Sequence, residues 1–154
     1  MDYLSASLYF GIVRRRIQSL VVEASVDMGL TYAEFSLLLV LFDKEGCSQD
    51  DMTNFLHVDK AAITRVIKKL EERDYIYRKQ DETDRRLKRL YLTEKGKKNE
   101  RKMKEIVHKI LNFLSDGYTQ KESDLIIRCL HDMAQRLGRA DATDVFGERR
   151  GNSL

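Results

Sequence analysis

Between residues 48 and 86 the chain gathers side chains whose types and spacing suit recognition of a polyanion. Lys60, Thr64, Arg65, Lys68 and Lys69 recur at offsets of about four, so a helix would carry them on one solvent-facing strip. At the N-terminal and outward positions of that helix, Lys60, Ala61, Ala62, Thr64 and Arg65 are the candidates for reading bases in a major groove. Hydroxyl and guanidinium groups can hydrogen-bond base edges in a groove. Lys68 and Lys69, one turn later, are better placed for phosphates, which fix register without reading sequence. Ser48 and Gln49 stand where a preceding helix would begin, and free amides at a helix start favour another phosphate. Further along, Asp84-Arg85-Arg86 sits in a polar stretch. An arginine there fits a narrow, electronegative minor groove, and the aspartate could hold one guanidinium in a bidentate fork. The plain counterpart of all these features is a solvated, salt-bridged surface.

Charge distribution bears on the choice. Lys60 to Lys104 contains 17 Lys and Arg against 8 Asp and Glu, whereas the whole chain has 28 against 25. A basic middle between acidic flanks suggests a localised face for double-stranded DNA.

Other chemistries find little support. His57, His108 and His131 lack the close spacing of a helix-face metal site, and neither Cys47 nor Cys129 lies beside one, so no metal is expected. There is no Ser/His/Asp set, no carboxylate pair in an apolar setting and no phosphate-cradling glycine loop, so neither an enzyme nor a cofactor is expected. Two cysteines cannot make a disulfide framework and are read as structural thiols in a reduced, cytoplasmic protein. No run approaches the roughly 20 apolar residues that span a bilayer, and no secretory signal opens the chain, so no membrane partner is expected.

The positioning elements follow from periodicity. Leu4, Leu8, Ile12, Ile17, Leu20, Val21, Ala24 and Met28 predict one helix over 4–28, with Gly29 as its C-cap. At roughly 37 Å it is too long to bury in so small a monomer. Thr31 and Glu34 form a capping box for a nearly all-apolar helix through Phe42. Ser48 caps a short third helix. His57-Val58 makes a tight turn, and Asp59 caps a fourth helix running to about Arg73. Residues 75–78 and 87–92 read as strands around a polar tip at 79–86. Thr93 caps a helix reaching toward Gly117, and Thr119 with Glu122 opens the last helix. The fold expected is mainly α with a small β-hairpin wing, a winged helix-turn-helix with long N- and C-terminal dimerisation helices. Residues 1–30 form the N-terminal dimerisation helix and 31–96 the winged lobe. Residues 97–138 form the C-terminal dimerisation helices, and 139–154 a mobile tail.

Val58-Asp59-Lys60, Ile63-Thr64-Arg65, Leu70-Glu71-Glu72, Asp84-Arg85-Arg86 and Leu92-Thr93-Glu94-Lys95-Gly96 resemble the MarR family of transcriptional regulators. The resemblance extends over the flanking helices to about Leu137. It implies a homodimer whose two lobes grip a pseudo-palindromic operator, usually to repress transcription. It also implies release by a small phenolic or carboxylate effector bound beside the lobe, for which Tyr9, Arg16, Tyr32 and Phe35 are the candidate residues; an aromatic stripe of this kind also serves as core. His57 and Asp74 stand where the family often has glycine. A winged helix can instead serve as a protein-docking module without specific DNA binding. That alternative calls for a neutral or acidic recognition helix and an exposed apolar patch.

Overall fold

The structure, a computed structural model, describes residues 3–147. The chain divides into two compact units, Met1–Leu114 and Ser115–Leu154, so a boundary falls inside the 97–138 segment.

In the first unit, α1 spans Tyr3–Ala24. It stops four residues before Met28 because buried Ser25 donates its hydroxyl to the Val21 carbonyl at 2.6 Å, competing with the helical ladder. A single 3-10 turn at Val26–Met28 follows, and Gly29 closes it with φ 59°. Of α1, Val21 alone is buried, while Leu4, Leu8, Tyr9, Phe10 and Ile12 are exposed.

α2 (Tyr32–Asp43) is the core spine. Its capping box has the Thr31 amide donating to Glu34 Oε2 at 2.8 Å, and Phe35, Leu37, Leu38 and Leu41 are almost wholly buried. α3 (Gln49–Leu56) and α4 (Lys60–Glu72) pack on it through Met52 and through Ile63, Ile67 and Leu70. Truncating one of these side chains to alanine costs about 2–5 kcal/mol, since the transfer and cavity terms add.

β1 (Ile76–Gln80) and β2 (Lys88–Leu92) form an antiparallel hairpin with Ile76 opposite Leu92 and Arg78 opposite Leu90. Both strands start one residue later than the sequence suggests, and β1 runs two residues further toward the tip. An isolated bridge of Ser48 opposite Arg89 was not legible in the sequence. Gly46 N donates to Leu90 O at 2.8 Å, and Leu90 N donates to Cys47 O at 2.9 Å, which stitches the α2–α3 loop to the hairpin.

The helix expected after Thr93 is observed as α5 (Glu94–Lys98) and α6 (Glu100–Leu114), joined by a near-helical step at Asn99. Gly96 lies so near the start of the hairpin that a Cβ would sit 2.3 Å from the Tyr75 carbonyl oxygen. Met103 and Ile106 of α6 complete the core.

In the second unit, α7 (Gln120–Arg139) opens with a capping box of Thr119 and Glu122 and buries none of its residues. Its apolar row of Ile126, Leu130, Met133 and Leu137 is exposed. A short α8 (Ala142–Phe146), capped by Asp141, occupies part of the segment expected to be a tail without regular structure; residues 148–154 lie outside the described residues.

Candidate nucleic-acid interface

α3, the turn at His57 and α4 make the helix-turn-helix. The turn is tight because His57 takes the left-handed conformation, φ 49° and ψ 45°. Asp59 then starts α4 by accepting the Ala62 amide at 2.8 Å. With Ile63, Ile67 and Leu70 turned into the core, Lys60, Ala61, Thr64, Arg65, Lys68 and Lys69 face solvent, and Ala62 is partly covered. Lys60 is paired with Asp50 at 2.8 Å and Lys68 with Glu72 at 3.7 Å. These pairs are more than half exposed and weak enough to exchange for phosphates. Arg65 and Lys69 have no such carboxylate partner among the described residues.

At the start of α3 the Ser48 amide donates to Asp51 Oδ2 at 2.8 Å, and the Ser48 hydroxyl engages the same oxygen at 2.8 Å. That amide bond, ahead of the hydroxyl, holds the Asp51 carboxyl below the usual carboxylate range. Ser48 is thus spent on its own helix. Gln49 reaches across to α4, where its Nε2 donates to Thr64 Oγ1 at 2.8 Å.

The hairpin tip is organised by a residue the sequence reasoning missed, Asp81. Its Oδ1 accepts the Thr83 hydroxyl at 2.6 Å and the Thr83 and Asp84 amides, each at 2.9 Å. Its Oδ2 pairs with the Arg89 guanidinium, which also donates to Gly46 O at 3.0 Å. The Thr83 hydroxyl first, then the Asp84 amide and Arg89, hold the Asp81 carboxyl well below the usual carboxylate range. Arg89 is therefore a brace of the wing. Arg85 and Arg86 are left outside it. The Arg86 side chain is 92% exposed and meets Asp84 through one oxygen at 3.4 Å, a single contact in place of the bidentate fork suggested by the sequence. The one signal for the brace was an Asx-turn pattern at Asp81-Glu82-Thr83.

Two further contacts tie this lobe together. Arg78 on β1 pairs with Glu71 on α4 at 3.1 Å. Arg73, ending α4, donates to Met28 O at 2.6 Å, Gly29 O at 2.9 Å and Glu34 Oε2 at 3.3 Å.

Of the four candidate effector residues, Tyr32 and Phe35 line a cavity of about 140 Å³ between α1, α2 and α6, together with Ile17, Val21, Ser36, Leu39, Val107, Ile110 and Leu111. Tyr9 and Arg16 are exposed on α1 and do not line it. Burial, and next the Asp51 charge, push the Cys47 thiol up, which disfavours its thiolate. Among the described residues no group of three or more His, Cys, Asp or Glu is placed to hold a metal ion. No described helix is long and apolar enough to cross a membrane.

Comparison with known proteins decides what this lobe is. The MarR family model matches residues 30–88, which contain α2, the helix-turn-helix and the wing tip. Residues 30–88 are thereby identified as a MarR-family domain. It is 27% identical over 129 residues to the HTH-type transcriptional regulator YybA of Bacillus subtilis, covering 84% of this chain and 86% of that one. The crystal structure of a MarR transcriptional regulator from Methanosarcina mazei superposes with a TM-score of 0.76 at 28% identity, covering 88% and 96% of the two chains. A Listeria monocytogenes protein solved in complex with 26mer DNA shares the fold, with a TM-score of 0.83 at 21% identity over 92% and 94% of the chains. With its MarR domain this chain is accordingly a DNA-binding transcriptional regulator with a winged helix-turn-helix lobe, of a kind with relatives that are regulators and not enzymes.

Proposed function

We propose that this regulator is a homodimeric repressor that binds a pseudo-palindromic operator in a sequence-specific way. The observation that carries the reading is the pairing, in one lobe, of a recognition helix whose Arg65 and Lys69 have no carboxylate partner among the described residues with a braced wing that leaves Arg85 and Arg86 outside the brace. Arg65 and Thr64 would meet base edges in the major groove, with Ala61 and Ala62 allowing close approach. Lys60, Lys68 and Lys69 would contact phosphates. Asp84, Arg85 and Arg86 would address the minor groove. The DNA complex of the Listeria monocytogenes protein supports this assignment by shared fold.

The dimer rests on exposed apolar surface. α1 shows Leu4, Leu8 and Ile12 to solvent, and α7 shows Ile126, Leu130 and Leu137. A second copy supplies the cover that each face lacks. Two-fold symmetry then sets the two recognition helices about one DNA turn, roughly 34 to 36 Å, apart. The cavity against Tyr32 and Phe35 has the apolar lining and the hydroxyl groups, from Tyr32 and Ser36, that suit a small phenolic or carboxylate effector which releases DNA.

Fluorescence anisotropy with a labelled operator tests the reading. Arg86→Ala weakens binding to all duplexes alike, whereas Arg65→Ala changes the preferred base at one position of each half-site. Unchanged affinity in the wing variant removes the hairpin from the account.

A further inference from the structure

The hydrogen bond from Gln49 to Thr64 links the first helix of the motif to the reading face of the second, and its chemistry limits what each group can still do. Thr64 Oγ1 donates its only hydrogen to the Lys60 carbonyl at 2.7 Å. With that hydrogen spent, the oxygen can only accept, so the group of Gln49 lying 2.8 Å away is the amide nitrogen. Two bonds thus fix the orientation of the Gln49 carboxamide. One of its N–H groups is used on Thr64, and its second N–H and Oε1 have no other partner among the described residues. Ala61, one turn before Thr64 on the same strip, projects nothing beyond a methyl group that would keep a base away.

We infer that Gln49 is a base-reading residue for adenine in the major groove, with Thr64 as the positioning residue that holds its amide. Adenine offers the N6 amino group as donor and N7 as acceptor, the complement of a carboxamide that presents Oε1 and one N–H. A phosphate, which only accepts, would use the amide nitrogen and leave Oε1 idle. Thr64 itself no longer has a hydrogen for a base, so its direct contribution is one lone pair and a methyl group. This inference rests on the DNA-binding reading and assigns one position of the operator within it.

The test is selection of bound duplexes from a randomised pool by the full chain and by Gln49→Ala, Thr64→Val and Thr64→Ser, each first checked for an unchanged thermal melt. The unaltered chain enriches adenine at one symmetric position of each half-site. Gln49→Ala lowers that preference by roughly 5- to 150-fold, the worth of a bidentate contact, and leaves the other positions and the salt slope as they were. Thr64→Val weakens the same preference, Thr64→Ser keeps it, and the Gln49→Ala/Thr64→Val double variant loses no more there than Gln49→Ala alone. A uniform loss of affinity with no change of motif in Gln49→Ala makes Gln49 a phosphate contact and overturns the inference. A Gln49-dependent preference unaffected by Thr64→Val overturns the positioning role. Absence of any enriched motif in the unaltered chain overturns the operator reading as well, which separates that failure from the others.

Discussion

Replacing Arg73 by alanine should detach the end of the recognition helix from the turn that joins α1 to α2. Three acceptors lose their donor: the carbonyls of Met28 and Gly29, and the carboxylate of Glu34. The Glu34 side chain is 4% exposed and that of Arg73 is 35% exposed. Removing one partner of a fully buried ion pair costs about 3–5 kcal/mol, because the remaining charge stays desolvated. Here the guanidinium is partly wet, Glu34 keeps the Thr31 amide at 2.8 Å, and Met28 O keeps the Tyr75 hydroxyl at 3.3 Å. A loss of about 2–3 kcal/mol is therefore expected. For a chain of this size it corresponds to a fall in Tm of roughly 4–12 °C. Urea unfolding followed by circular dichroism at one fixed protein concentration measures it, since the stability of the proposed dimer would vary with concentration. In a Glu34→Gln background the same substitution should cost about 1 kcal/mol less, because no unpaired carboxylate is left behind. A loss below about 0.5 kcal/mol in the Arg73→Ala chain would refute the reasoning.

Gly96→Ala should destabilise the fold by about 1–3 kcal/mol in the same urea assay, because its methyl group would fall 2.3 Å from the Tyr75 carbonyl oxygen and force α5 away from the hairpin. Asp74→Gly should raise stability by up to about 1 kcal/mol, since Asp74 is held at φ 57°, a region that costs L side chains more than glycine. An unchanged or lower midpoint contradicts the strain. Asp81 and Asp51 are both held below the usual carboxylate range, so their ionisation stabilises the fold above the unfolded value of about 4. That contribution is lost as pH falls through the lower folded values. Melts should be level above about pH 5 and fall below about pH 4, with a shallower fall in Asp81→Asn; an identical acid profile in that variant would remove Asp81 from the explanation.

The parts of this fold that show in the sequence are those decided within one or two turns of chain. Thr31 with Glu34, and Thr119 with Glu122, announce helix starts because both partners of each cap lie three residues apart. The outward strip of α4 follows from Ile63, Ile67 and Leu70 claiming the inward one. His57 and Asp74 were marked by standing where relatives often have glycine, and both have positive φ. What did not show depends on partners distant in sequence. Arg73 closes on carbonyls 44 and 45 residues earlier, and Arg89 reaches Gly46 across 43 residues. The isolated bridge of Ser48 opposite Arg89, flanked by the bonds of Gly46 and Cys47 to Leu90, has no alternating pattern of its own and exists only because β2 offers an open edge. The Gln49–Thr64 bond spans 15 residues and a turn, so spacing alone pointed Gln49 toward a phosphate.

The most direct test of the account is the salt dependence of binding to a duplex selected from a random pool by the unaltered chain. The account predicts a pseudo-palindromic duplex with half-sites one helical turn apart. It also predicts that log affinity falls steeply and linearly with log salt, as several phosphate contacts release their counterions. No enriched sequence, together with no binding at low salt, would contradict it and leave the basic face of α4 and the wing as solvated surface on a protein-docking module.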